Sequence, residues 1–171
     1  MAALELWLDD YSDIYSDFDS RLYTKRRVSE DFVEELKRAF AHRDEFTTDL
    51  VLRIPVEKRD QSQEPFITES LYTFFKKRRS AYELMFNKKR AGSWLMLLAG
   101  ILVMGAGSVV TFTIEHSVIS QVLRVILEPG GWFFVWTGMD SLFYDLKGIK
   151  KEKKFYTDMA TLHWHFRPVE K

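Results

Sequence analysis

The sequence predicts an α+β membrane protein: a two-helix transmembrane hairpin joined to a small cytoplasmic sheet-plus-helix head built from both termini. Three observations predict it. Residues 91–114 contain no charged side chain, a second apolar stretch occupies 129–146, and segments that alternate apolar and polar residues lie toward both ends of the chain. The averages conceal this segregation, because 25 basic residues balance 25 acidic ones and the mean hydropathy is only −0.22. Zero net charge supplies no general attraction to polyanions. The absence of cysteine excludes disulfides, thiolate catalysis and cysteine-based metal centres. The opening MAALELWLDD has neither the basic start nor the long apolar core of a secretory leader.

The head is expected over residues 1–65. Leu4 to Leu8 alternate briefly and read as a short strand, after which acids dominate: residues 1–20 hold six acids and no base. Ser29 precedes a helix whose Phe32, Leu36, Ala39 and Phe40 share one face, with Glu30 and Asp31 suited to the positive end of its dipole. Thr48 to Val56 is β-branched, alternating and closed by Pro55, which predicts a strand. Pro65 opens an amphipathic basic helix over 66–90, with Ile67, Leu71, Phe74, Phe75, Tyr82, Met85 and Phe86 as its stripe. At the other end, MATLHWHFRPV alternates again, Leu162, Trp164 and Phe166 on one face and His163 and His165 on the other. This last strand is expected to rejoin the head.

No stop signal separates the basic helix from the uncharged run. The 24 residues from Ala91 to Ile114 span about 36 Å as a helix, against about 30 Å of hydrocarbon. From Pro129 to Leu146, Asp140 and Asp145 are the only charges in 18 residues. Trp132 and Trp136 near one end and Tyr144 near the other fit interfacial belts. The connector 115–128 is amphipathic; it lies in an external interface or extends the second helix by a few turns. Lys76, Lys77, Arg78, Arg79, Lys88, Lys89 and Arg90 precede the first span. Lys147, Lys150, Lys151, Lys153 and Lys154 follow the second, in the basic flank of 147–171, whereas the connector holds only Arg124. The positive-inside rule then puts both termini in the cytoplasm. The clusters serve as anchors to anionic lipid, which accounts for them without nucleic acid.

Asp140 is the sharpest polar feature, since an acid within a span is costly unless paired, protonated or turned to protein. Thr137 shares its face, and Asp145 lies toward the basic end. These three are the expected intramembrane polar contacts, to the first span or to a partner subunit. Small residues recur every seven positions at Gly92, Ala99, Ala106 and Thr113, with Gly100 and Gly107 beside them, a seam for helix packing. The acids from Asp9 to Asp19 lack the glycine and closing glutamate of a calcium loop, and read as a solvated edge or a surface for a basic partner. His163 and His165 point one way, but His42 and His116 are distant, so no metal site is expected. No nucleophile–base arrangement or nucleotide loop marks an enzyme, and no cofactor is implied.

Trp136, Asp140, Phe143, Tyr144, Asp145 and the lysines from 147 onward resemble the second span of an uncharacterised set of prokaryotic two-span membrane proteins with a cytoplasmic α/β head. That set carries Trp-Arg-Pro where this chain has Trp136-Thr137-Gly138, so its in-helix arginine is missing here. The resemblance implies a multi-pass protein of the prokaryotic plasma (inner) membrane and transfers no activity. The expected function is a non-catalytic accessory or scaffold subunit of a larger membrane complex, contacting lipid and other membrane subunits or copies of itself. The alternative is an oligomeric pore or membrane effector whose head senses a signal.

Overall fold

The computed structural model describes residues 3–19, 21, 26–42, 48–113 and 117–169, with the side chain of Thr111 outside the description. The chain divides into two compact units, Met1–Ser80 with Lys153–Lys171, and Ala81–Glu152.

The first unit contains a three-stranded sheet of β1 (Ala3–Trp7), β2 (Asp49–Pro55) and β3 (His163–Val169), in the order β1-β2-β3. Both pairings are parallel, with Leu4 opposite Leu50 and Leu50 opposite Trp164. Alternation in the sequence fixes which residues share a face but not the strand direction. The direction comes from connectivity. Each step to the next strand passes through helix, and right-handed crossovers taken twice in one direction put all the helices on one face.

Burial follows this rule except at Val51, which is buried on the other face between Glu5 and His165. Leu4, Leu50, Leu52, Ile54, Trp164 and Phe166 are buried, whereas Glu5, Trp7, His163, His165 and Arg167 on the opposite face are exposed. The covering layer is α1 (Glu30–Ala41), the start of α2 (Glu64–Thr113) and the end of α4 (Leu146–Met159). From α1 come Phe32, Val33 and Leu36; from α2 come Ile67, Leu71 and Phe75; from α4 come Phe155, Tyr156 and Met159, all buried. Phe75 is the hub, its ring 5.4 Å from Trp164, 6.1 Å from Tyr156 and 6.3 Å from Phe155. Ser29 does occupy the N-cap of α1, but its side chain makes no capping bond. Its backbone N–H donates to the Ile14 carbonyl at 2.9 Å instead.

The acids of the N-terminal segment have local work. Asp13 Oδ2 accepts from the backbone N–H of Asp9 at 2.7 Å and of Asp10 at 3.0 Å, holding a 3-10 turn at Tyr11–Ile14. Asp19 accepts from the Arg21 guanidinium and from the N–H of Arg27.

The second unit contains the rest of α2, then α3 (Val118–Asp140), a π-helical turn at Ser141–Asp145 and the start of α4. The basic helix and the uncharged run form a single helix of 50 residues. The connector is helical from Val118 onward, and α3 runs through Pro129. One interior proline removes a single backbone bond, a loss that long apolar helices accommodate. The described stretches Glu64–Val110 and Val118–Met159 are each long and apolar enough to cross a membrane.

Candidate functional site

The two helices of the second unit run antiparallel along a seam of small residues. Ser93, Gly100 and Gly107 recur every seven residues on α2 and are buried, as are Gly131 and Gly138 on α3. A seven-residue step keeps one stripe of a helix facing its partner. The backbones meet closely there. A Cβ added to Gly100 would lie 2.7 Å from the Gly131 carbonyl oxygen and from Val135 N. One added to Gly138 would lie 2.8 Å from Leu97 N and 3.0 Å from the Ser93 carbonyl, and one on Gly131 would collide with Met104 Cγ. At Gly107 the contact is looser, 3.3 Å to Leu127 Cβ.

This seam corrects the expected one by a single residue. Gly100 and Gly107 belong to it, Ala99 is half-buried beside it, Ala106 is exposed, and Gly92 has nothing within 4 Å. Two adjacent seven-step rows run along α2, and the partner's glycines select the row that packs. Gly131 and Gly138 are themselves seven apart, a signal that was present in the sequence and that selects the Ser93–Gly100–Gly107 row.

Two polar contacts close one end of the pair. Ser93 Oγ bonds both the Lys89 carbonyl at 2.9 Å and Ser141 Oγ at 2.8 Å, with both serines buried. One turn further, Lys89 Nζ reaches Asp145 Oδ2 at 2.8 Å. These partners also fix the register: Asp145 lies level with Lys89, in the basic flank of the uncharged run. Ser141 opens the π turn, its carbonyl accepting from the N–H of Leu146 five residues on. The wide turn inserts one extra residue into the helix, a feature that recurs at functional sites.

The Asp140 side chain is exposed and makes no hydrogen bond or ion pair with another described residue. The Thr137 side chain is half-buried and likewise makes none, although its carbonyl accepts from the Ser141 N–H. Thus Ser141, not Asp140 or Thr137, bonds to the first helix. Asp140 lies five residues before Asp145, about 7 Å along the helix axis from the Lys89–Asp145 pair.

The same register moves the aromatic anchors. Gly131 faces Gly100, so Trp132 and Trp136 sit beside the middle of the uncharged run. Their rings stack on each other at 6.2 Å, both exposed. The far end carries Arg124 and Glu128, paired at 2.7 Å. Tyr144, Lys88, Arg90, Lys147, Lys150 and Lys151 are exposed at the other end, as interface anchors require.

In the first unit, the open sheet face gathers the remaining polar candidates. Asp49 lies 3.2 Å from His165 Nε2 and 4.0 Å from His163 Nδ1. The Thr48 hydroxyl, and after it His165, hold the Asp49 carboxyl below the usual carboxylate range. Arg53 grips Glu5 through two bonds of 2.7 and 2.9 Å and lowers its pKa in the same way. On the covered side, burial pushes the Tyr11 phenol up to about 12; its hydroxyl bonds the Asp60 carbonyl and Glu64 Oε1. Comparison of the chain with protein-family models, with curated proteins and with solved structures finds no match.

Proposed function

We propose that this protein is a non-catalytic accessory subunit of a membrane complex in the prokaryotic plasma membrane. In this reading α2 and α3 cross the bilayer as a hairpin, and the sheet unit lies in the cytoplasm with both termini. The lysine and arginine clusters flanking the apolar runs anchor the hairpin to anionic lipid. An even number of crossings is supported by the sheet itself, because β1 and β2 precede the hairpin, β3 follows it, and all three pair.

The observation that carries the reading is the contrast between Asp140 and its polar neighbours. Ser93 is paired with Ser141 and Lys89 with Asp145. The Asp140 side chain faces outward with no described partner, near the basic end of the apolar run, where a charged acid costs less than the ~3 kcal/mol that insertion scales assign to a helix centre. A helix of another subunit that brings a donor to Asp140 would offset that cost.

The test is purification of the tagged chain from native membranes in mild detergent, with mass spectrometry of the intact complex. Distinct subunits should co-purify. Asp140→Leu should lose them while remaining membrane-integrated, and Asp140→Asn, which still hydrogen-bonds, should retain them. Recovery of the chain only as a homo-oligomer that leaks liposomes would replace this reading with the pore.

A further inference from the structure

We propose that the groove between β3 and the first turns of α2 binds an extended, acidic peptide strand from a partner protein, by addition to the open edge of the sheet. The inference concerns the sheet unit alone and does not depend on Asp140 or on the membrane role of the hairpin.

The backbone of β3 provides the first part of the argument. His163 donates its N–H to the Thr48 carbonyl at 3.0 Å. In a parallel ladder every second residue faces the neighbouring strand, so His163, His165 and Arg167 turn to β2. Trp164, Phe166 and Pro168 turn to the open edge. Two edge carbonyls are already taken: Tyr72 Oη donates to that of Leu162 at 2.7 Å, and Arg59 Nη2 to that of Phe166 at 3.3 Å. Pro168 has no N–H to offer. Blocked groups and proline are the usual means of closing a sheet edge. Between them, the N–H groups of Trp164 and Phe166 and the carbonyl of Trp164 have no partner among the described residues. The edge is closed at both ends and open in the middle.

The second part is the space beside it. A groove of about 1160 Å³ runs along this edge, walled by Thr68, Tyr72, Lys76 and Arg79 of α2 and by Trp164 and Phe166. It is open to solvent and carries several charged and polar side chains, unlike the mostly apolar, enclosing pockets that bind small ligands. The indole of Trp164 is fixed by its Nε1–H bond to the Met159 carbonyl and by stacking on Phe75. A strand laid in the groove would gain main-chain bonds at Trp164 and Phe166, and alternate side chains would meet the α2 wall.

The third part is charge, which selects the occupant. At the Phe166 end, Arg59 and Glu64 neutralise each other at 2.7 Å. At the Ala160 end, Lys76 and Arg79 lie three residues apart on one helix face, exposed and without a described partner. Glu69, the other acid lining the groove, is exposed seven residues before Lys76, so the charge at the Ala160 end stays positive, and the chemistry that complements it is a pair of acidic side chains.

The experiment uses the full chain in nanodiscs and two fluorescent eight-residue probes of alternating valine and threonine, both termini blocked. One begins and the other ends with Asp-Glu. At least one should bind saturably by anisotropy, and its orientation reveals the strand direction. Binding should slow amide exchange at Trp164 and Phe166. The variant K76E/R79E should weaken it at least tenfold, while a probe with lysines in place of the acids should bind that variant better than the native chain. The proposal is overturned if neither probe saturates, if protection falls elsewhere, or if charge reversal leaves the affinity unchanged.

Discussion

Among single residues, Tyr11 makes a consequence of burial measurable. Its phenol is held neutral by desolvation, with a folded value of about 12 against an ordinary 10.0. A raised pKa means that the folded state holds the proton more tightly. The associated stability is fully present below about pH 10 and declines as the pH rises toward 12. Alkaline unfolding followed by tyrosinate absorbance and circular dichroism should therefore show a tyrosine that ionises together with loss of structure. Tyr11→Phe should remove that step. Nothing in the sequence marks Tyr11 out, because its partners Asp60 and Glu64 lie some fifty positions away. The buried row of Leu162, Trp164 and Phe166 was legible in full, since a strand's two-residue period needs no knowledge of what covers it.

At the scale of elements, the helix seam sets two effects of comparable size against each other. Replacing a helical glycine by alanine gains up to about 1 kcal/mol of propensity, whereas overpacking a close contact costs about 1–3 kcal/mol. At Gly138 the new Cβ meets the backbone of Leu97 and Ser93, which cannot turn aside, so the cost wins. Gly138→Ala is expected to destabilise the helix pair and to lengthen a spin-label distance between α2 and α3. Gly92→Ala, with open space around it, is expected to leave the distance unchanged and the stability equal or higher. The sequence revealed that a seven-step seam exists on α2, but α2 alone does not say which of two adjacent rows it follows. That choice depends on the glycines of the other helix, a pairing that single-helix periodicity does not contain. The π turn was likewise illegible. It is set by where Ser141 and Asp145 meet Ser93 and Lys89, and no local residue pattern demands an extra residue there.

For the whole molecule, the reading of an even-numbered crossing predicts that reporters fused before Met1 and after Lys171 fall on the same side of the membrane, the cytoplasmic one. Protease protection in oriented vesicles provides the check, and opposite sides would end the proposal. The two long apolar helices were legible from charge segregation, and the mixed class from the alternating segments toward both ends. The parallel direction of the strands was not, although a strand–helix–strand order already implies it. What neither composition nor periodicity carried was the Asp140 environment, since exposure of one side chain depends on which faces the helices bury.

The β2–β3 pairing also has a consequence for biosynthesis. The central strand precedes both apolar helices in the chain, yet the neighbour that shields one of its sides follows them. Until both apolar helices and the strand after them have been made, β2 presents bare main-chain groups on that side to the surroundings. If α2 and α3 cross a bilayer as proposed, a molecule whose second helix failed to integrate would strand β3 on the far side and could not complete its sheet. Under that proposal, faulty insertion would expose its own product to proteolysis, and only copies with both helices in place would persist.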